Sequence, residues 1–459
     1  MSLLARDDPR PVHFVGVAGA GMSALAELFI RRGVRVSGCD AALGAATDLR
    51  RAGVILHEGH DPAHVDDARA LVVTSAMAKE HPELARARRL GLPVIRRAEA
   101  LGEAVRGGVV VGIAGTHGKT TTTVLTTGAL ASAGRNPTGL VGARVAAWEG
   151  NLMRGGDDLF VVEADEYDRS FLALTPTVAV VTNLEADHLD IYRDLEDIRE
   201  TFATYIRPAR TIVLCADDPG ANTLRTPNTA EVIRYGVTSR DARLVARHLR
   251  LEGVRALFDV VYDGKILGSI ELQMPGLHNV RNALAAVAAG IALGVPLDGM
   301  RDGLATVRGA ERRFQRVGEA NGTLVVDDYA HHPTEIRATL EAARAAYPGR
   351  RLVVAFQPHL YTRTRDFAAD FGSALAQADA VFLTEIYAAR EQPIAGVSAG
   401  LVEEALTRAG GTLAWRGERV VLAAALARAV QKGDVVLTMG AGDITRTGPE
   451  LLEKLRYTV

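Results

Sequence analysis

Short apolar runs that end in glycine or in polar residues recur along the whole chain. They cover residues 13–17, 109–114, 159–162, 178–181, 324–326, 352–356, 380–383 and 435–437. Runs of this kind are typical of buried parallel strands, and segments with helical periodicity, such as residues 334–347, separate them. The alternation predicts a doubly wound α/β protein.

Residues 12–40 predict a strand, a glycine turn, a helix and a second strand. The glycines follow Gly-x-x-Gly-x-Gly, so the dinucleotide fingerprint is met only in part. Asp40 ends the second strand, where a carboxylate can reach a ribose hydroxyl. We expect a nucleotide diphosphate here rather than packing glycines alone, either a dinucleotide or a nucleotide sugar. The expected binding residues are Gly19, Ala20, Gly21, Met22, Ser23, Asp40 and, beyond the run at 71–73, Ser75.

Residues 109–123 carry an apolar strand into a glycine-rich turn and a helix. Backbone amides, a helix N-terminus and a lysine there suit the phosphates of a nucleoside triphosphate, whereas the alternative is a plain connecting turn. Walker spacing would place glycine at Ile113, so Gly115 must supply the flexible turn. Only five lysines occur, and one directly follows Gly118. The residues expected to bind the triphosphate are Gly115, Thr116, His117, Gly118, Lys119, Thr120 and Thr121, with the Thr120 hydroxyl on Mg²⁺.

Polar clusters follow two later strands, at residues 163–168 and 182–188. Because parallel strands collect function at their carboxyl ends, these clusters should face the phosphate loop. Glu163 is the expected Mg²⁺ ligand, and its alternative is an exposed loop acid. His188 is a candidate for a second metal or the transferring phosphate, with a structural histidine as the alternative. Asp165, Glu166 and Asp168 belong to the same cluster as Glu163. The alternative to a role in the site is that they are solvated bystanders, that is, acids that face water and contact no ligand.

The composition narrows the class of protein. A chain of 459 residues exceeds the usual size of one core, so several domains are expected. A net charge of -2 without a basic stripe argues against nucleic acid. Two cysteines exclude a disulfide framework or a cysteine-based metal site and fit a reducing compartment. The start lacks a signal-peptide core, and residues 283–295 predict a buried helix too short to span a bilayer. We expect a cytoplasmic protein without a membrane partner.

Seven motifs follow one another along the chain: Gly115-Thr116-His117-Gly118-Lys119-Thr120, Glu163-Ala164-Asp165-Glu166, Thr182-Asn183-x-Glu185-x-Asp187-His188, His278-Asn279-x-x-Asn282, Arg312-Arg313-Phe314, Asp327-Asp328-Tyr329-Ala330-His331-His332-Pro333 and Phe356-Gln357-Pro358-His359-x-Tyr361. In this order they resemble the Mur ligases over nearly the whole chain. The resemblance implies three α/β domains: a Rossmann-like UDP-sugar-binding domain (1–107), a central ATP-binding domain with a P-loop ATPase-like parallel sheet (108–310), and a Rossmann-like C-terminal domain (311–459) that closes over both and admits the amino acid.

The family resemblance also implies the chemistry. ATP and Mg²⁺ would convert the carboxylate of UDP-N-acetylmuramate into an acyl phosphate, which L-alanine would attack, in peptidoglycan precursor synthesis. Several relatives bridge metals with a carbamylated lysine. This chain has no lysine between Lys119 and Lys265, so we expect no such bridge.

The roles implied for individual residues follow the motifs. Lys119, His188, Arg313 and His331 would be catalytic, with His331 also the candidate general base. His278, Asn279 and Asn282 would touch the adenosine, and their alternative is a helix start with a capping asparagine. Asp328 would contact the ribose. His359, Tyr361 and Arg363 would line the amino-acid pocket, and Thr120, Glu163 and His188 would hold metal.

Other functions remain as alternatives. A recycling ligase would join an intact peptide to the same sugar nucleotide and needs a larger pocket. Folate polyglutamate synthesis would leave the N-terminal nucleotide-binding segment unexplained. An oxidoreductase that binds a nicotinamide at the first glycine turn would leave the phosphate loop without a role. A non-catalytic nucleotide-binding module is the fourth alternative.

Overall fold

The computed structural model describes residues 2–74, 77–78, 80–189 and 191–457. Three sheets organise these residues, and each is mostly parallel with helices between its strands. The predicted α/β class with three domains is therefore confirmed. Among the described residues, no helix is both long enough and apolar enough to cross a bilayer.

The first sheet has the strand order β3-β2-β1-β4-β5, and all its neighbouring strands are parallel. The order reverses between β1 and β4, so the glycine turn after β1 lies at the switch point where such sheets bind ligands. The predicted strand, turn, helix and strand of residues 12–40 are confirmed. The elements are β1 (Val12–Val15), α1 (Ala20–Arg31), β2 (Val36–Asp40), α2 (Thr47–Ala52), β3 (Ile55–Glu58), β4 (Ala70–Val73), α3 (Pro82–Arg89), β5 (Val94–Arg96) and α4 (Arg97–Ala104).

The second sheet has ten strands, in the order β15-β14-β13-β12-β11-β10-β6-β9-β7-β8. Strand β6 pairs in parallel with β9 and β10, so the phosphate loop after β6 lies between the two predicted polar clusters. The elements are β6 (Val109–Ala114), α5 (Lys119–Ser132), β7 (Thr138–Val145), β8 (Gly150–Met153), β9 (Leu159–Glu163), β10 (Val178–Val181), α6 (Leu195–Ile206), β11 (Thr211–Cys215), α7 (Pro219–Asn222), β12 (Glu231–Gly236), β13 (Leu244–Glu252), β14 (Arg255–Tyr262), β15 (Lys265–Leu272), α8 (Leu277–Ala292) and α9 (Leu297–Thr306).

Two parts of this domain differ from the sequence pattern. The predicted buried helix over 283–295 is α8, but it ends at Ala292, because Gly294 adopts a left-handed conformation with φ +69° and Val295 then bonds back to Gly290. Strands β12–β15 have no counterpart among the predicted runs. In β14 buried residues alternate with partly exposed ones, so no continuous apolar run marks the strand.

The third sheet has the order β16-β17-β21-β18-β19-β20, and only the β16–β17 pair is antiparallel among its described pairs. One face packs Leu340 and Phe371 into a core, and the other packs Leu426 and Leu451. The sheet therefore has a helix layer on each side. The elements are β16 (Gln315–Ala320), β17 (Thr323–Asp328), α10 (Pro333–Ala346), β18 (Leu352–Phe356), α11 (Tyr361–Leu375), β19 (Ala380–Thr384), α12 (Gly400–Arg408), β20 (Leu413–Gly417), α13 (Arg419–Ala429), β21 (Val435–Met439) and α14 (Thr447–Tyr457).

The chain forms two compact units. The first unit comprises Met1–His248, Phe258–Ile270 and Arg281–Gly309, and the second comprises Leu249–Leu257, Glu271–Val280 and Ala310–Val459. The first unit therefore contains both the N-terminal and the central sheet. Ion pairs join these two parts, with Arg32 Nη2 lying 2.9 Å from Asp157 Oδ1 and Arg154 Nε lying 3.0 Å from Glu27 Oε1.

The substitution Gly112→Ala tests the packing beneath the phosphate loop. A Cβ at Gly112 would overlap with the Tyr205 hydroxyl, which is buried without a hydrogen-bond partner in the part of the chain that the structure describes. We expect the substitution to lower the free energy of unfolding of the first unit by about 1–3 kcal/mol. In a Tyr205→Phe background the loss should be smaller, since the overlapping atom is gone. Urea unfolding followed by Trp148 fluorescence measures both values.

Gly150→Ala is the matched control, because no atom lies within 4 Å of the added Cβ. Its free energy of unfolding should stay within about 0.5 kcal/mol of the wild type. An equal loss for Gly112→Ala in the two backgrounds would contradict the proposed overlap.

Candidate functional site

Two glycines shape the turn between β6 and α5. Gly115 has φ +135° and Gly118 has φ +81°, which are backbone conformations that residues other than glycine rarely adopt. A Cβ at Gly118 would also lie only 2.7 Å from Asn282 Oδ1, and one at Gly115 would overlap with Thr182 Oγ1. The prediction that Gly115 supplies the flexible turn is confirmed.

The segment after β10 braces this turn. Asn183 Oδ1 accepts a hydrogen bond from the His117 backbone N at 2.7 Å, and Thr182 Oγ1 donates to the His117 carbonyl at 2.6 Å. The Glu185 backbone N donates to Thr116 Oγ1 at 3.0 Å. These contacts fix the loop before any ligand arrives, and they show that the second polar cluster faces the phosphate loop as predicted.

Lys119 points into the loop and forms a buried ion pair. Its Nζ lies 2.7 Å from Glu166 Oε2 and donates to the Gly115 carbonyl at 2.7 Å. Burial opposes the charged form of Lys119, but the carboxylates of Glu166 and Asp165 outweigh it and raise the pKa of the lysine. The lysine is therefore a fixed cation at the position where phosphates are expected.

Glu166 is not a solvated bystander, so that alternative is wrong. Its side chain is 5% exposed, and burial raises its pKa to about 7 against the opposing effect of Lys119. In the sequence, the indication that Glu166 has a role was indirect: a buried lysine needs an acidic partner, but the partner itself is not marked. The sequence offers three acids here and does not distinguish them. Asp165 lines a cavity described below, and Asp168 lies 3.8 Å from Arg96.

Thr120 and Glu163 present oxygen atoms side by side. The Thr120 hydroxyl donates to Glu163 Oε1 at 2.9 Å, and the Gly142 backbone N donates to Glu163 Oε2 at 2.7 Å. Glu163 is half-buried, so the alternative of an exposed loop acid is wrong. A carboxylate and a hydroxyl beside a phosphate loop fit Mg²⁺, which takes its remaining ligands from water and phosphate oxygens.

His188 lies next to the ion pair on a strained residue. Its φ is +52°, and its Nε2 lies 3.7 Å from Glu166 Oε1 and 3.8 Å from Asp187 Oδ2. Left-handed conformations of bulky residues persist where the surroundings hold them, and they concentrate at functional sites. The structure thus brings Lys119, Thr120, Glu163 and His188 together in the first unit.

The glycine turn after β1 borders a cavity of about 310 Å³. Glu163 and Asp165 line the same cavity, so the turn and the candidate Mg²⁺ ligand share one space. A Cβ at Gly21 would lie 3.0 Å from Arg97 Nη1, which places a guanidinium against the N-terminal end of α1. Sequence reasoning missed Arg97, because nothing distinguishes one arginine in an arginine-rich chain. The expected residues Gly19, Ala20, Gly21 and Met22 line this cavity.

Other residues expected at this turn have local partners. The Asp40 carboxylate accepts hydrogen bonds from the Ala18 backbone N at 3.0 Å and the Ala42 backbone N at 3.2 Å, so it holds the turn together. The Ser23 hydroxyl donates to the Ala20 carbonyl at 2.9 Å. Ser75 lies outside the described residues. Contacts of Asp40 and Ser23 with a ligand stay predictions.

In the second unit, Asp328 clamps two backbone segments. Its Oδ2 accepts from the Phe314 backbone N at 2.7 Å, and its Oδ1 accepts from the Ala330 backbone N at 2.8 Å. Burial raises the pKa of Asp328 to about 6, although Arg313 acts in the opposite direction. The expected ribose contact stays a prediction, and the clamp is a role that the motif did not reveal.

Arg313 and His331 both lie against the same tyrosine. The Arg313 guanidinium lies 5.0 Å from the Tyr329 ring centre, and the His331 ring centre lies 5.1 Å from it. His331 Nδ1 lies 3.0 Å from the Tyr329 carbonyl and 3.2 Å from Glu335 Oε2, two acceptor oxygens to which an Nδ1–H can donate. A base at this position would therefore act through Nε2.

The residues expected for the amino-acid pocket are partly grouped. The His359 ring lies 5.8 Å from the His331 ring and 5.9 Å from that of Tyr387. Tyr361 begins α11, and Arg363 on the same helix is 5% exposed. Their contact with an amino acid stays a prediction.

The residues expected at the adenosine have structural partners. Asn279 Nδ2 donates to the Pro275 carbonyl at 2.7 Å, whereas a capping asparagine would accept a backbone N–H through Oδ1, so this contact does not establish the capping alternative. Asn282 Oδ1 accepts from Thr122 Oγ1 at 3.2 Å and lies against Gly118. His278 lies on the first turn of α8. Adenosine contacts for all three stay predictions.

Comparison with known proteins identifies the family of this chain. Models of the Mur ligase family match three segments: the catalytic domain over residues 11–108, the middle domain over 113–290 and the glutamate ligase domain over 312–442. The chain belongs to the Mur ligase family, and the resemblance seen in the sequence is confirmed.

Individual relatives span nearly the whole chain. A UDP-N-acetylmuramate–L-alanine ligase of Salinibacter ruber is 45% identical over 452 residues, which is 97% of this chain and 95% of the relative. The crystal structure of a UDP-N-acetylmuramate–alanine ligase from Thermotoga maritima matches with a TM-score of 0.83 and 27% identity, covering 98% of this chain and all of that one. The crystal structure of a murein peptide ligase from Psychrobacter arcticus matches with a TM-score of 0.73 and 26% identity, covering 98% of this chain and 99% of that one.

The substitution Asp328→Asn tests the buried clamp through its pH dependence. The pKa of this group rises from 3.8 when unfolded to about 6 when folded, so its stabilising contribution is complete below about pH 4 and is lost as the pH rises through 6. Relative to the Asn variant, the wild type should lose about 1–3 kcal/mol of unfolding free energy between about pH 4 and pH 6.5. Urea unfolding followed by Trp415 fluorescence in a Trp148→Phe background measures it.

Asp379→Asn serves as the control in the same unit. Burial of Asp379 raises its pKa, but the hydrogen bonds from Arg344 and the Leu352 backbone N, together with the charges of Arg344 and Arg351, lower it overall to below its ordinary value of 3.8, which is below the tested range. In Asp379→Asn, the unfolding free energy should change with pH as it does in the wild type. If the unfolding free energies of the wild type and Asp328→Asn changed equally with pH, a raised pKa at Asp328 would be contradicted.

Proposed function

We propose that this chain is an ATP-dependent ligase that joins L-alanine to the carboxylate of UDP-N-acetylmuramate in peptidoglycan precursor synthesis. Two of the relatives that span nearly the whole chain, from Salinibacter ruber and Thermotoga maritima, carry this activity in their names. The observation that carries the proposal is the cavity of about 310 Å³, which the first glycine turn and Glu163 line together. A sugar nucleotide on the turn and a triphosphate on the loop after β6 would meet there.

The chemistry follows from the needs of the carboxylate. A carboxylate is a poor electrophile, so transfer of the γ-phosphoryl group of ATP must first make an acyl phosphate. Such transfers depend on positioning and on neutralising charge. Entry of the triphosphate offers Lys119 phosphate oxygens in place of the Gly115 carbonyl that it now contacts. Mg²⁺, when held by Thr120 and Glu163, would neutralise charge on the transferring group.

The second half of the reaction needs a base and protection from water. The amine of L-alanine must lose a proton before it attacks the acyl phosphate, and we assign this step to Nε2 of His331. Arg313 supplies positive charge for the phosphate, and His188 binds the γ-phosphate or a second metal. Asp328, His278, Asn279 and Asn282 recognise adenosine, and His359, Tyr361 and Arg363 receive the amino acid. The acyl phosphate must stay shielded from water until the attack is complete.

A component-omission assay tests this function. Phosphate should be released only when ATP, Mg²⁺, UDP-N-acetylmuramate and L-alanine are all present. Replacing L-alanine with L-Ala-γ-D-Glu-diaminopimelate separates the proposal from a recycling ligase, because that enzyme would use the tripeptide. Equal ATP consumption without the sugar nucleotide would refute a ligase, and efficient use of the tripeptide alone would refute L-alanine as the substrate.

Lys119→Ala should abolish turnover, by at least about 10³-fold, because the transferring phosphate loses a fixed cation. Binding of UDP-N-acetylmuramate, measured by calorimetry, should be unchanged, since the glycine turn is a separate site. The control Lys265→Ala removes an exposed lysine on β15 and should retain full turnover. Loss of sugar-nucleotide binding in Lys119→Ala would argue against two separate sites.

Arg97→Gln should raise the KM for UDP-N-acetylmuramate by about 10- to 100-fold, because a charged hydrogen bond to the diphosphate is lost. The KM for ATP should stay within about twofold, an expectation that rests on distinct phosphate sites. The neighbouring Arg96, whose side chain is 68% exposed, gives the matched control Arg96→Gln, which should change neither constant. An equal rise in both KM values for Arg97→Gln would place this residue outside the sugar-nucleotide site.

A further inference from the structure

The N-terminal domain contains a cluster of side chains of the types that bind metals, and the ligase mechanism proposed above gives none of them a role. His13 lies on β1, Cys39 on β2, His60 follows β3, and Glu83 lies in the first turn of α3. We name these four residues the N-terminal histidine cluster. His13, Cys39 and Glu83 are buried completely or almost completely.

The donor atoms lie close together. Cys39 Sγ is 2.9 Å from Glu83 Oε2 and 3.3 Å from His60 Nδ1, and His60 Nδ1 is 3.8 Å from Glu83 Oε2. His13 Nε2 lies 3.9 Å from the same Glu83 oxygen. A tetrahedral zinc ion with N ligands near 2.1 Å and an S ligand near 2.3 Å separates its ligand atoms by roughly 3.3–3.8 Å. These four distances range from 2.9 to 3.9 Å, close to that spacing, and the donor atoms of His13, Cys39 and Glu83 all lie within 4.8 Å of one another.

One buried atom points specifically to a ligand. His13 Nε2 has no hydrogen-bond partner among the described residues, although the side chain is fully buried. Native proteins rarely leave a buried polar atom unsatisfied without a reason. A cluster that only satisfied its own polar groups would not leave this nitrogen unpaired.

Neighbouring residues hydrogen-bond to the donor side chains and orient them. In metal sites, residues next to the ligands act as outer partners in the same way. Ser37 Oγ lies 2.9 Å from His13 Nδ1, which fixes that ring with Nε2 toward Glu83. His64 Nδ1 lies 2.8 Å from Glu83 Oε1 and leaves Oε2 for the cluster. Partners of this kind fix the tautomer and the orientation of ligands. The side chain of His60 is 31% exposed, so an ion has a path from solvent.

We propose that the N-terminal histidine cluster binds one Zn²⁺ ion through His13, Cys39, His60 and Glu83. Binding breaks the Cys39 Sγ–H bond, forms a bond from sulfur to metal and releases one proton to solvent. One thiolate and one carboxylate then balance the two positive charges of the ion, so no net charge is buried. Mixed sulfur, nitrogen and oxygen donors favour zinc over Mg²⁺, which prefers oxygen alone. Two cysteines argued against a cysteine-based site, but this site needs only one cysteine, with histidines.

The ion would join β1, β2, the segment after β3 and the start of α3. The carbonyl of Cys39 accepts hydrogen bonds from the backbone N of Gly16 at 2.8 Å and of Val17 at 3.0 Å. The cluster is therefore bonded directly to the beginning of the glycine turn. We assign the ion a structural role that stabilises this turn.

The test uses the full chain, stripped with a chelator and dialysed against ZnCl₂ or CoCl₂. Elemental analysis should find about one zinc per chain, and Co²⁺ should give the thiolate-to-cobalt charge-transfer absorption of a tetrahedral site. Cys39→Ser should lose this absorption and weaken zinc binding on the order of 100-fold or more, since even outer partners are worth 10–100-fold. The wild type should also melt at a higher temperature with zinc than without it.

Three variants make the outcome specific. Cys215→Ser removes the chain's other buried cysteine, on β11, and should keep both zinc and the cobalt absorption. Glu163→Gln should also keep them, which separates this site from the expected Mg²⁺ site. His60→Ala serves as a second ligand variant if Cys39→Ser does not fold. Because His60 is partly exposed, this variant is expected to retain the fold and to bind zinc more weakly. The proposal is overturned if the wild type retains no zinc, or if Cys39→Ser and His60→Ala both retain as much as the wild type.

Discussion

A buried positive charge at the phosphate loop constrains the whole central domain. Lys119 stays charged there because carboxylates surround it, above all Glu166 at 2.7 Å. Glu166 in turn is fixed by the Tyr192 hydroxyl, which donates to its carbonyl at 2.6 Å. Burying either charge alone would cost several kcal/mol, on the order given by continuum arguments. The loop, the strand-end carboxylates and His188 are thus arranged around one ion pair, and a triphosphate must compete with Glu166 for the same cation.

Much of the fold could be predicted from the sequence, and the reason is physical. Parallel strands that are buried on both faces form continuous apolar runs in the sequence, so β1, β6, β10 and β18 could be predicted directly. Half-exposed strands such as β14 were not, because their buried positions alternate with partly exposed ones. The end of α8 was misplaced, since residues 293–295 are as apolar as the helix and only the left-handed Gly294 ends it.

For the sites, sequence motifs identified loop residues but not their partners. Gly115, Lys119 and Thr120 stand in a spacing that has one physical purpose, so their neighbourhood was predictable. Arg97 and Glu166 depend on which side chains the fold brings together over long sequence separations, and no local pattern records that. The histidine cluster escaped notice for the same reason, because its members come from β1, β2, the segment after β3 and the start of α3.

The cavity between the first glycine turn and Glu163 has a consequence for inhibition. Arg97 lies at one part of its lining and the candidate metal ligand at another, within a volume of about 310 Å³. A single small molecule could therefore carry an anionic group for the guanidinium and a chelating group for the metal. Linking two weak fragments in this way avoids a second loss of translational freedom, so such a bifunctional compound would bind far more tightly than either fragment alone.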